Sequence, residues 1–374
     1  MPQQYVYGKF MCHELEEWIP DGPQLLKESK LSTIGTEDGN KVNTDVRLSY
    51  KFDIDRYSGY VSELTLYFKS MLGKSEAFKE FLTLFKFKDY DIECTDGYVS
   101  PKDAFFSKHF DSPKECTFKK YNKVCTSVST ILLRLPNDDY YPGCEYKGGE
   151  LVLHVGDGDP VVIDLNDLDI RHSFKWCCFP HNILHESKPV TEGSKVFLKF
   201  HLFGIRDDDQ GDLTVNFDQE EQKTVDEIDS FIEENKNVGS MIGLSHYYDD
   251  GFYTTSEYGG YVNKNILYGF DDKLYIYLNN KYKNVKIISY RFDECSSTSD
   301  ESNHEDYVYM GRKPICDLNK YTKLLPENYC YSGREYNDYT YSRYAQYSAT
   351  FIKVPSLLME DSDDSEESFS EYIY

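Results

Sequence analysis

The stretch KVFLKFHLF, residues 195–203, indicates the class of fold because its side chains alternate in character. One set is apolar and consists of Val196, Leu198, Phe200 and Leu202. The other set consists of Lys195, Phe197, Lys199 and His201. Successive side chains of a β-strand point to opposite faces of a sheet, so this pattern predicts a strand with one apolar face. Lys195 lies on the other face, which borders either water or a polar cavity inside a barrel.

The sequence before this strand has the same texture. From about residue 98 to residue 203, turn residues separate the short apolar runs VSTILLRL, GELVLH, PVVIDL and FKWCCF. Such a series is typical of an antiparallel sandwich or barrel. The 34 Tyr and 23 Phe residues also favour strands, because aromatic rings fit a pleated, half-buried surface.

Helical patterns flank the strand-rich region. Residues 61–72 place their apolar side chains on one helical face, with Gly73 as a stop, and a second amphipathic stretch continues to Phe85. After a polar joint at 206–221, a capping box of Thr224 and Glu227 predicts the start of another helix. The stretch KLYIYLNNKYKNVKIISYRF, residues 273–292, then predicts a β-hairpin that turns at Asn279 and Asn280.

These patterns predict a mainly β protein with flanking helices. We expect an N-terminal helical support region at 1–89, a β core at 90–205 and a smaller C-terminal α+β lobe at 222–354. The segment 355–374 is rich in Asp, Glu and Ser, which predicts an acidic disordered tail.

Charge and cysteine usage exclude several classes of function. With 41 basic and 65 acidic residues the formal net charge is −24, so the average surface repels phosphate backbones and anionic membranes. We therefore expect no nucleic-acid partner and no membrane association. The chain shows no pattern of a signal peptide or transmembrane segment, and its ten cysteines form no compact disulfide framework. An intracellular protein, cytoplasmic or nuclear, is the expectation.

The stretch FFSKHFD, residues 105–111, contains a candidate metal site. In an extended segment His109 and Asp111 point the same way, because they are two residues apart. With His185 they would form a set of two histidines and one carboxylate, which leaves positions open on an iron ion. His181 and His154 are not predicted as ligands, since neither lies in a metal-binding motif.

An ordered set of motifs surrounds these residues. They are an aromatic pair before HxD, LLRLPN, GGEL, a W-x-x-F strand and H-E-x-x-P-V-x-x-G-x-K. Their positions are Phe105, Phe106, His109, Asp111, 132–137, 148–151, Trp176, Phe179, His185, Glu186, Pro189, Val190, Gly193 and Lys195. Over roughly residues 90–205 this set resembles the Fe(II)- and 2-oxoglutarate-dependent dioxygenases of the prolyl 4-hydroxylase-like branch.

The resemblance implies a double-stranded β-helix (jelly-roll) core and a role for each matched residue. His109, Asp111 and His185 would bind Fe(II), and Lys195 would hold the C5 carboxylate of the cosubstrate 2-oxoglutarate. Tyr98 would be a further cofactor-binding residue, although it lies two residues before the position of the tyrosine in the branch, where this chain has Ser100. Ascorbate is the expected reductant.

The implied activity is hydroxylation of a C–H bond, in a prolyl or other side chain of a protein or peptide. One alternative is a jelly-roll binding protein without catalysis. Another is a dioxygenase that acts on a small molecule or a nucleic acid. A run of lysines between Lys108 and Lys123 lies beside the HxD motif and indicates either a solvated loop or a preference for acidic substrate segments.

Overall fold

The computed structural model divides into two compact units, Met1–Asp207 and Asp208–Tyr374. The described residues are 4–11, 21–36, 39–136, 144–155, 159–166, 173–206, 215–237, 239–245, 248, 260–261, 264–297, 308–310, 313–314, 322–323, 330–331 and 342–356. The predicted acidic tail therefore lies outside the described residues, except for Pro355 and Ser356.

Antiparallel strands dominate the first unit. In chain order they are β1 (Val6–Met11), β2 (Lys30–Leu31), β3 (Ile34–Thr36), β4 (Gly39–Lys41), β5 (Arg47–Leu48), β6 (Tyr50–Phe52), β7 (Phe87–Pro101), β8 (Phe105–His109), β9 (Glu115–Phe118), β10 (Lys123–Thr126), β11 (Ser129–Arg134), β12 (Tyr146–Gly148), β13 (Leu151–His154), β14 (Val161–Ile163), β15 (Ser173–Pro180), β16 (Leu184–Ser187) and β17 (Val190–Arg206). The larger sheet has the order β1-β15-β11-β17-β7-β6-β2, with β12 also paired to β17, and the smaller has the order β14-β13-β16-β8-β5.

The two sheets pack against each other through apolar side chains. Leu151, Leu153 and Ile163 of the smaller sheet form one buried cluster with Cys177 and Phe179 of the larger sheet. Burial of this kind stabilises the sandwich by about 25 cal/mol for each Å² of apolar surface removed from water. The mainly β architecture with a jelly-roll core is confirmed.

Strand β17 is buried on both faces. Phe200, from its apolar set, is fully buried, and its ring centroid lies 5.4 Å from that of Phe68 on a helix that covers the outer face of the larger sheet. On the inner face Lys195 and His201 are buried as well. The face that bears Lys195 therefore borders the interior of the sandwich, which decides between the two alternatives left open by the sequence.

The described residues of the first unit form the α-helices α1 (Gly22–Glu28), α2 (Ser58–Lys74) and α3 (Glu76–Leu82). The two amphipathic stretches predicted from the sequence correspond to α2 and α3 and are confirmed. Helix α2 continues one residue beyond Gly73, and Ser75 then caps α3 by accepting a hydrogen bond from the backbone N–H of Phe78.

The second unit is an α+β unit. Its helices are α4 (Gln219–Glu234) and α5 (Gly269–Lys281). Its strands are β18 (Ser240–Gly243), β19 (Gly260–Tyr261), β20 (Lys286–Ser297), β21 (Val308–Met310), β22 (Lys313–Pro314), β23 (Thr322–Lys323), β24 (Cys330–Tyr331) and β25 (Ser342–Val354). The sheet has the order β22-β21-β20-β25-β18-β23, with β19 paired to β20 and β24 paired to β25.

The predicted start of α4 at Thr224 is wrong. The helix begins at Gln219, because Asp218 accepts hydrogen bonds from the backbone N–H groups of Glu220 and Glu221. The Glu221 side chain in turn accepts from the backbone N–H of Asp218, which completes a capping box. The capping box of α4 therefore has the predicted spacing but lies six residues upstream of the predicted one, about 1.7 turns.

The predicted hairpin at 273–292 is also wrong in its first half. Residues up to Lys281 belong to α5, and only the second half is a strand, β20. Leu274 and Leu278 are fully buried and four residues apart, which is the spacing of one helical face. Asp271 and Asp272 lie in the first turn, where carboxylates stabilise a helix.

Among the described residues, no helix is long and apolar enough to cross a membrane.

A tight approach at Gly193 gives a stability prediction. Gly193 has φ +70°, and a Cβ atom there would lie 1.9 Å from the carbonyl oxygen of Glu145. We expect Gly193→Ala to lower the free energy of unfolding by at least about 1–3 kcal/mol, as measured by scanning calorimetry of the full chain. Gly269→Ala is the control, because φ is +60° there but no atom lies within 4 Å of an added Cβ. Equal destabilisation by both substitutions would contradict the prediction.

Candidate metal centre

Two neighbouring strands of the smaller sheet position the candidate ligands. His109 ends β8, His185 lies in β16, and the two residues are direct partners in the antiparallel ladder. Asp111 follows β8 by two residues, and its backbone N–H donates a hydrogen bond of 3.2 Å to the carbonyl oxygen of His181. The register of one strand pair therefore brings together residues that are distant in the sequence.

The three side chains converge on one point. Their candidate ligand atoms all lie within 4.8 Å of one another. Nε2 of His109 is 3.9 Å from Oδ1 of Asp111, and Nε2 of His185 is 3.7 Å from Oδ2 of Asp111. Two bonds of about 2.1 Å reach atoms up to about 4.2 Å apart, so one ion can be shared between Asp111 and either histidine at these two distances.

Hydrogen bonds set the orientation of both imidazole rings. Nδ1 of His109 donates to the carbonyl oxygen of Ser107 at 2.8 Å, and Nδ1 of His185 donates to that of Ile183 at 2.9 Å. The lone pair of each Nε2 therefore points towards Asp111. Burial lowers the pKa of both histidines, so that both are neutral near pH 7, as metal ligands must be.

Asp111 is buried and ionised. Burial by itself would raise the pKa of its carboxyl group, but the Lys199 ammonium holds this pKa well below the usual value. Lys199 Nζ lies 2.5 Å from Oδ1, and the Thr130 hydroxyl donates to Oδ2 at 2.6 Å. The centre thus offers two neutral nitrogen donors and one anionic oxygen donor.

A chain of buried side chains continues behind Asp111. Thr130 Oγ1 lies 3.2 Å from Nδ1 of His181, and Nε2 of His181 lies 2.9 Å from the hydroxyl oxygen of Ser127. The same Ser127 oxygen lies 3.1 Å from Nδ1 of His201. His181 lies outside the cluster of candidate ligands. Its contacts join it to the candidate ligand Asp111 through Thr130.

The predicted anchor Lys195 lies on the inner face of β17. Its ammonium is buried and donates to the carbonyl oxygen of Gly149 at 2.7 Å. It also lies 3.5 Å from the hydroxyl of Ser187, which is two residues from His185 on the same strand. A distance of two residues along a strand is roughly 6.6 Å, so a buried cation lies close to the histidine pair.

Tyr98 lies on the same inner face. In the ladder between β7 and β17, Tyr98 is paired with Phe197, and Lys195 is paired with Ser100. The Tyr98 ring stacks on Phe197 with centroids 5.1 Å apart, and the Arg47 guanidinium lies 4.5 Å above it. The role of Tyr98 in binding a cofactor stays a prediction, and Ser100 shares its face.

Comparisons with known proteins were made for the whole chain. No family model matches it, and no curated protein matches it. Solved structures do match, and three of them are an oxidoreductase of the 2OG-Fe(II) oxygenase family from Burkholderia pseudomallei, a prolyl-4-hydroxylase from Pseudomonas putida and a prolyl hydroxylase from Trichoplax adhaerens in complex with a hypoxia inducible factor oxygen degradation domain peptide fragment. This chain resembles 2-oxoglutarate and Fe(II) oxygenases.

The similarity is distant. The identities are 16%, 14% and 15%, and the TM-scores are 0.25, 0.30 and 0.32, in the same order. The matches cover 37%, 53% and 54% of this chain, and 55%, 92% and 83% of the other chains. The chain thus spans about half of the Burkholderia protein. A likeness at this level says nothing of activity.

Arg134 is a buried cation near Lys195 that the sequence analysis did not single out. Its side chain is buried on β11, and its guanidinium lies 5.4 Å from the centre of the Tyr146 ring. Among the described residues its Nε has no hydrogen-bond partner. Lys195 lies over the same ring at 6.0 Å, so two buried cations share this end of the sandwich. The sequence signal that could have indicated Arg134 is its charge within the otherwise apolar strand of LLRLPN.

The chain of hydrogen bonds behind Asp111 leads to a prediction for Ser127. Ser127→Ala leaves Nε2 of His181 without its donor, and the loss of orientation reaches Asp111 through Thr130. We expect metal affinity, measured by titration calorimetry with Mn²⁺, to fall about tenfold or more. The matched control is Ser129→Ala, since Ser129 is equally buried and its hydroxyl has no partner among the described residues. If both variants bound Mn²⁺ equally well, the chain would have no part in holding the ligand.

Proposed function

We propose that the first unit is an Fe(II)- and 2-oxoglutarate-dependent dioxygenase that hydroxylates a side chain of a protein or peptide, proline before others. The observation that carries the proposal is the buried Lys195 ammonium beside the strand of His185, within the same interior as the His109, Asp111 and His185 cluster. A dicarboxylate that chelates a metal through one end needs free coordination positions on that metal and a cation for the carboxylate at its other end.

The residues fit Fe(II). Two imidazoles and one carboxylate are the donors of the facial triad of non-haem iron oxygenases, and the Nε2 lone pairs are left available by the Nδ1 hydrogen bonds. When bound, Fe(II) and 2-oxoglutarate would supply the oxidation of an unactivated C–H bond by dioxygen, with ascorbate as the proposed reductant.

The chain's own contribution is binding, orientation and exclusion of water. Phe106 stacks on the His109 ring with centroids 3.4 Å apart, and Phe179 lies against His185 at 4.6 Å. These rings keep the two imidazoles in place and make one side of the centre apolar. Lys195 offers the remote carboxylate a charge-assisted hydrogen bond at a buried position, where such a bond is stronger than in water.

The substrate class rests on the motif spacing and on the charge. The net charge of −24 disfavours a nucleic acid, and the intact triad and lysine disfavour a jelly-roll protein without catalysis. Two lysines of the basic run are paired internally, Lys114 with Asp96 at 3.6 Å and Lys120 with Asp89 at 2.5 Å. Fewer cations are therefore available to select an acidic substrate segment than the sequence indicates.

The proposed function is tested by succinate release. The full chain is incubated with Fe(II), 2-oxoglutarate, ascorbate and a panel of proline-containing peptides, and the peptides are then examined by mass spectrometry. The expected result is succinate release together with the gain of one oxygen atom by a peptide. Oxidation of a small molecule or a methylated oligonucleotide, with all peptides unchanged, would contradict the substrate class and leave the iron chemistry standing.

The buried position of Lys195 gives the proposal a pH dependence. Burial lowers the pKa of Lys195 to about 8, while Glu150 and Asp164 act to raise it and Arg134 lowers it further. Below this pKa the amine is a cation that attracts the carboxylate, and above it the charge is lost. We expect the affinity for 2-oxoglutarate, measured anaerobically with saturating Mn²⁺, to fall by up to about tenfold for each pH unit above about 8.

The control for this pH dependence is Lys195→Arg, because a guanidinium keeps its charge throughout the range. Its 2-oxoglutarate affinity should vary much less between about pH 7 and about pH 9. An identical pH profile for the wild-type protein and the arginine variant would show that another group is responsible.

A further inference from the structure

The ion pair between Lys199 and Asp111 has no part in the function proposed above. We propose that Lys199 is an internal competitor of the metal for Asp111, so that the metal ion and the dianionic cosubstrate strengthen each other's binding. The inference rests on the proposed function, because it concerns the same centre. Lys199 acts in it as a positioning residue, through the oxygen of Asp111 that it occupies.

The two carboxylate oxygens of Asp111 have different partners. Oδ2 accepts a hydrogen bond from the Thr130 hydroxyl. Because the Thr130 proton is used in that bond, Thr130 Oγ1 must be the acceptor in its contact with Nδ1–H of His181. Nε2 of His181 must accept from the Ser127 hydroxyl, and the Ser127 oxygen accepts from Nδ1–H of His201. Every donor in this chain points towards Asp111, so the hydrogen bond to Oδ2 is fixed by four fully or nearly buried residues.

Oδ1 has a more mobile partner. Lys199 Nζ lies 2.5 Å from it, and the Lys199 side chain is 15% exposed, whereas the residues behind Oδ2 are buried. Lys199 is also joined to β17 by four methylene groups, while Thr130 is held directly on β11. A metal can therefore bind Oδ1 by displacing the Lys199 ammonium, which disturbs the structure less than breaking the hydrogen bond from Thr130 to Oδ2.

A charge count gives the consequence. Asp111 and Lys199 carry −1 and +1, which sum to zero, so the ion pair attracts a divalent cation less than Asp111 alone would. After a divalent ion binds, the sum is +2, which a dicarboxylate of charge −2 neutralises. Each ligand thus raises the affinity for the other, and the two increases are equal by linkage.

The test measures metal binding rather than turnover. Mn²⁺ is titrated into the full chain by calorimetry, with and without N-oxalylglycine, a dianion that chelates as 2-oxoglutarate does. We expect Lys199→Met to bind Mn²⁺ alone about tenfold or more tightly than the wild-type protein, because a positive charge next to the metal is removed. The strengthening of Mn²⁺ binding by N-oxalylglycine should shrink in this variant.

Three further variants complete the test. Lys199→Arg keeps the charge and should behave as the wild-type protein, and Lys199→Gln replaces Lys199→Met if the latter does not fold. Lys69→Met removes a cation that is paired with Asp91 at 2.8 Å, outside the ligand cluster, and should leave the affinity for Mn²⁺ alone unchanged.

The outcomes separate the two proposals. Unchanged or weaker Mn²⁺ binding by the neutral Lys199 variants would overturn the inference, since the lysine would then hold the carboxylate in place for the metal. If the wild-type protein and Asp111→Ala bound Mn²⁺ equally, with or without N-oxalylglycine, the proposed function itself would fall.

Discussion

Replacing Asp111 with alanine is expected to remove Fe(II) from the centre and to abolish 2-oxoglutarate turnover. Asp111 is the only anionic donor of the described cluster, and two neutral imidazoles cannot offset the loss of hydration of a divalent ion in a buried site. The Lys199 ammonium would also lose its counter-ion and would repel the metal. The measurements are the iron content of the purified protein and the release of succinate.

Asp96→Ala is the matched control for Asp111→Ala. Asp96 is a buried carboxylate of the same unit, and it is paired with Lys51 and Lys114 outside the ligand cluster. Its loss should lower stability and leave the iron content near one ion per folded chain. Iron-dependent decarboxylation of 2-oxoglutarate that persists in Asp111→Ala would refute the assignment of the ligands.

The second large effect is expected at Lys195. Lys195→Ala removes a charge-assisted hydrogen bond worth roughly 1.5–3 kcal/mol, so the affinity for 2-oxoglutarate should fall on the order of tenfold to a hundredfold. Iron binding should survive, because Lys195 contacts Gly149 and Ser187 and none of the three ligands. Anaerobic titration of the iron-loaded variants with 2-oxoglutarate measures the change.

Two variants show why Lys195→Ala loses affinity for 2-oxoglutarate. Lys195→Met fills the buried space without the charge, so it separates the loss of packing from the loss of the cation. Lys195→Arg keeps the cation and should restore much of the affinity. An affinity for 2-oxoglutarate that is unchanged in the alanine and methionine variants would assign the anchoring role to another group.

The strands and the common direction of His109 and Asp111 could be predicted from the sequence because their signals are local, whereas His185 was matched to them by the family resemblance. Alternation in KVFLKFHLF gives the two faces of β17, and the spacing of His109 and Asp111 gives their common direction. The apolar stretch LYIYL, in contrast, is compatible with either a strand or a helix. Leu274 and Leu278 are both fully buried at the four-residue spacing of a helical face, and no local pattern contains that information.

The support behind Asp111 could not be predicted for a different reason. Thr130 faces the interior because β11 pairs with β17 in the register that places Thr130 opposite His201. A shift of one residue would turn Thr130 towards the helices. The contact of Lys199 with Asp111 and the contacts of His181 with Ser127 and Thr130 likewise depend on the pairing of strands that are far apart in the sequence.

The direct pairing of His109 with His185 has a consequence for folding. The two residues are 76 positions apart (185 − 109), so their contact closes a long loop of chain. The chain entropy lost in closing this loop opposes the assembly of the centre. An ion held between them would bind the folded chain and not the unfolded one. The metal would then link β8 to β16, and its removal should expose this pair of strands to proteases before the rest of the unit.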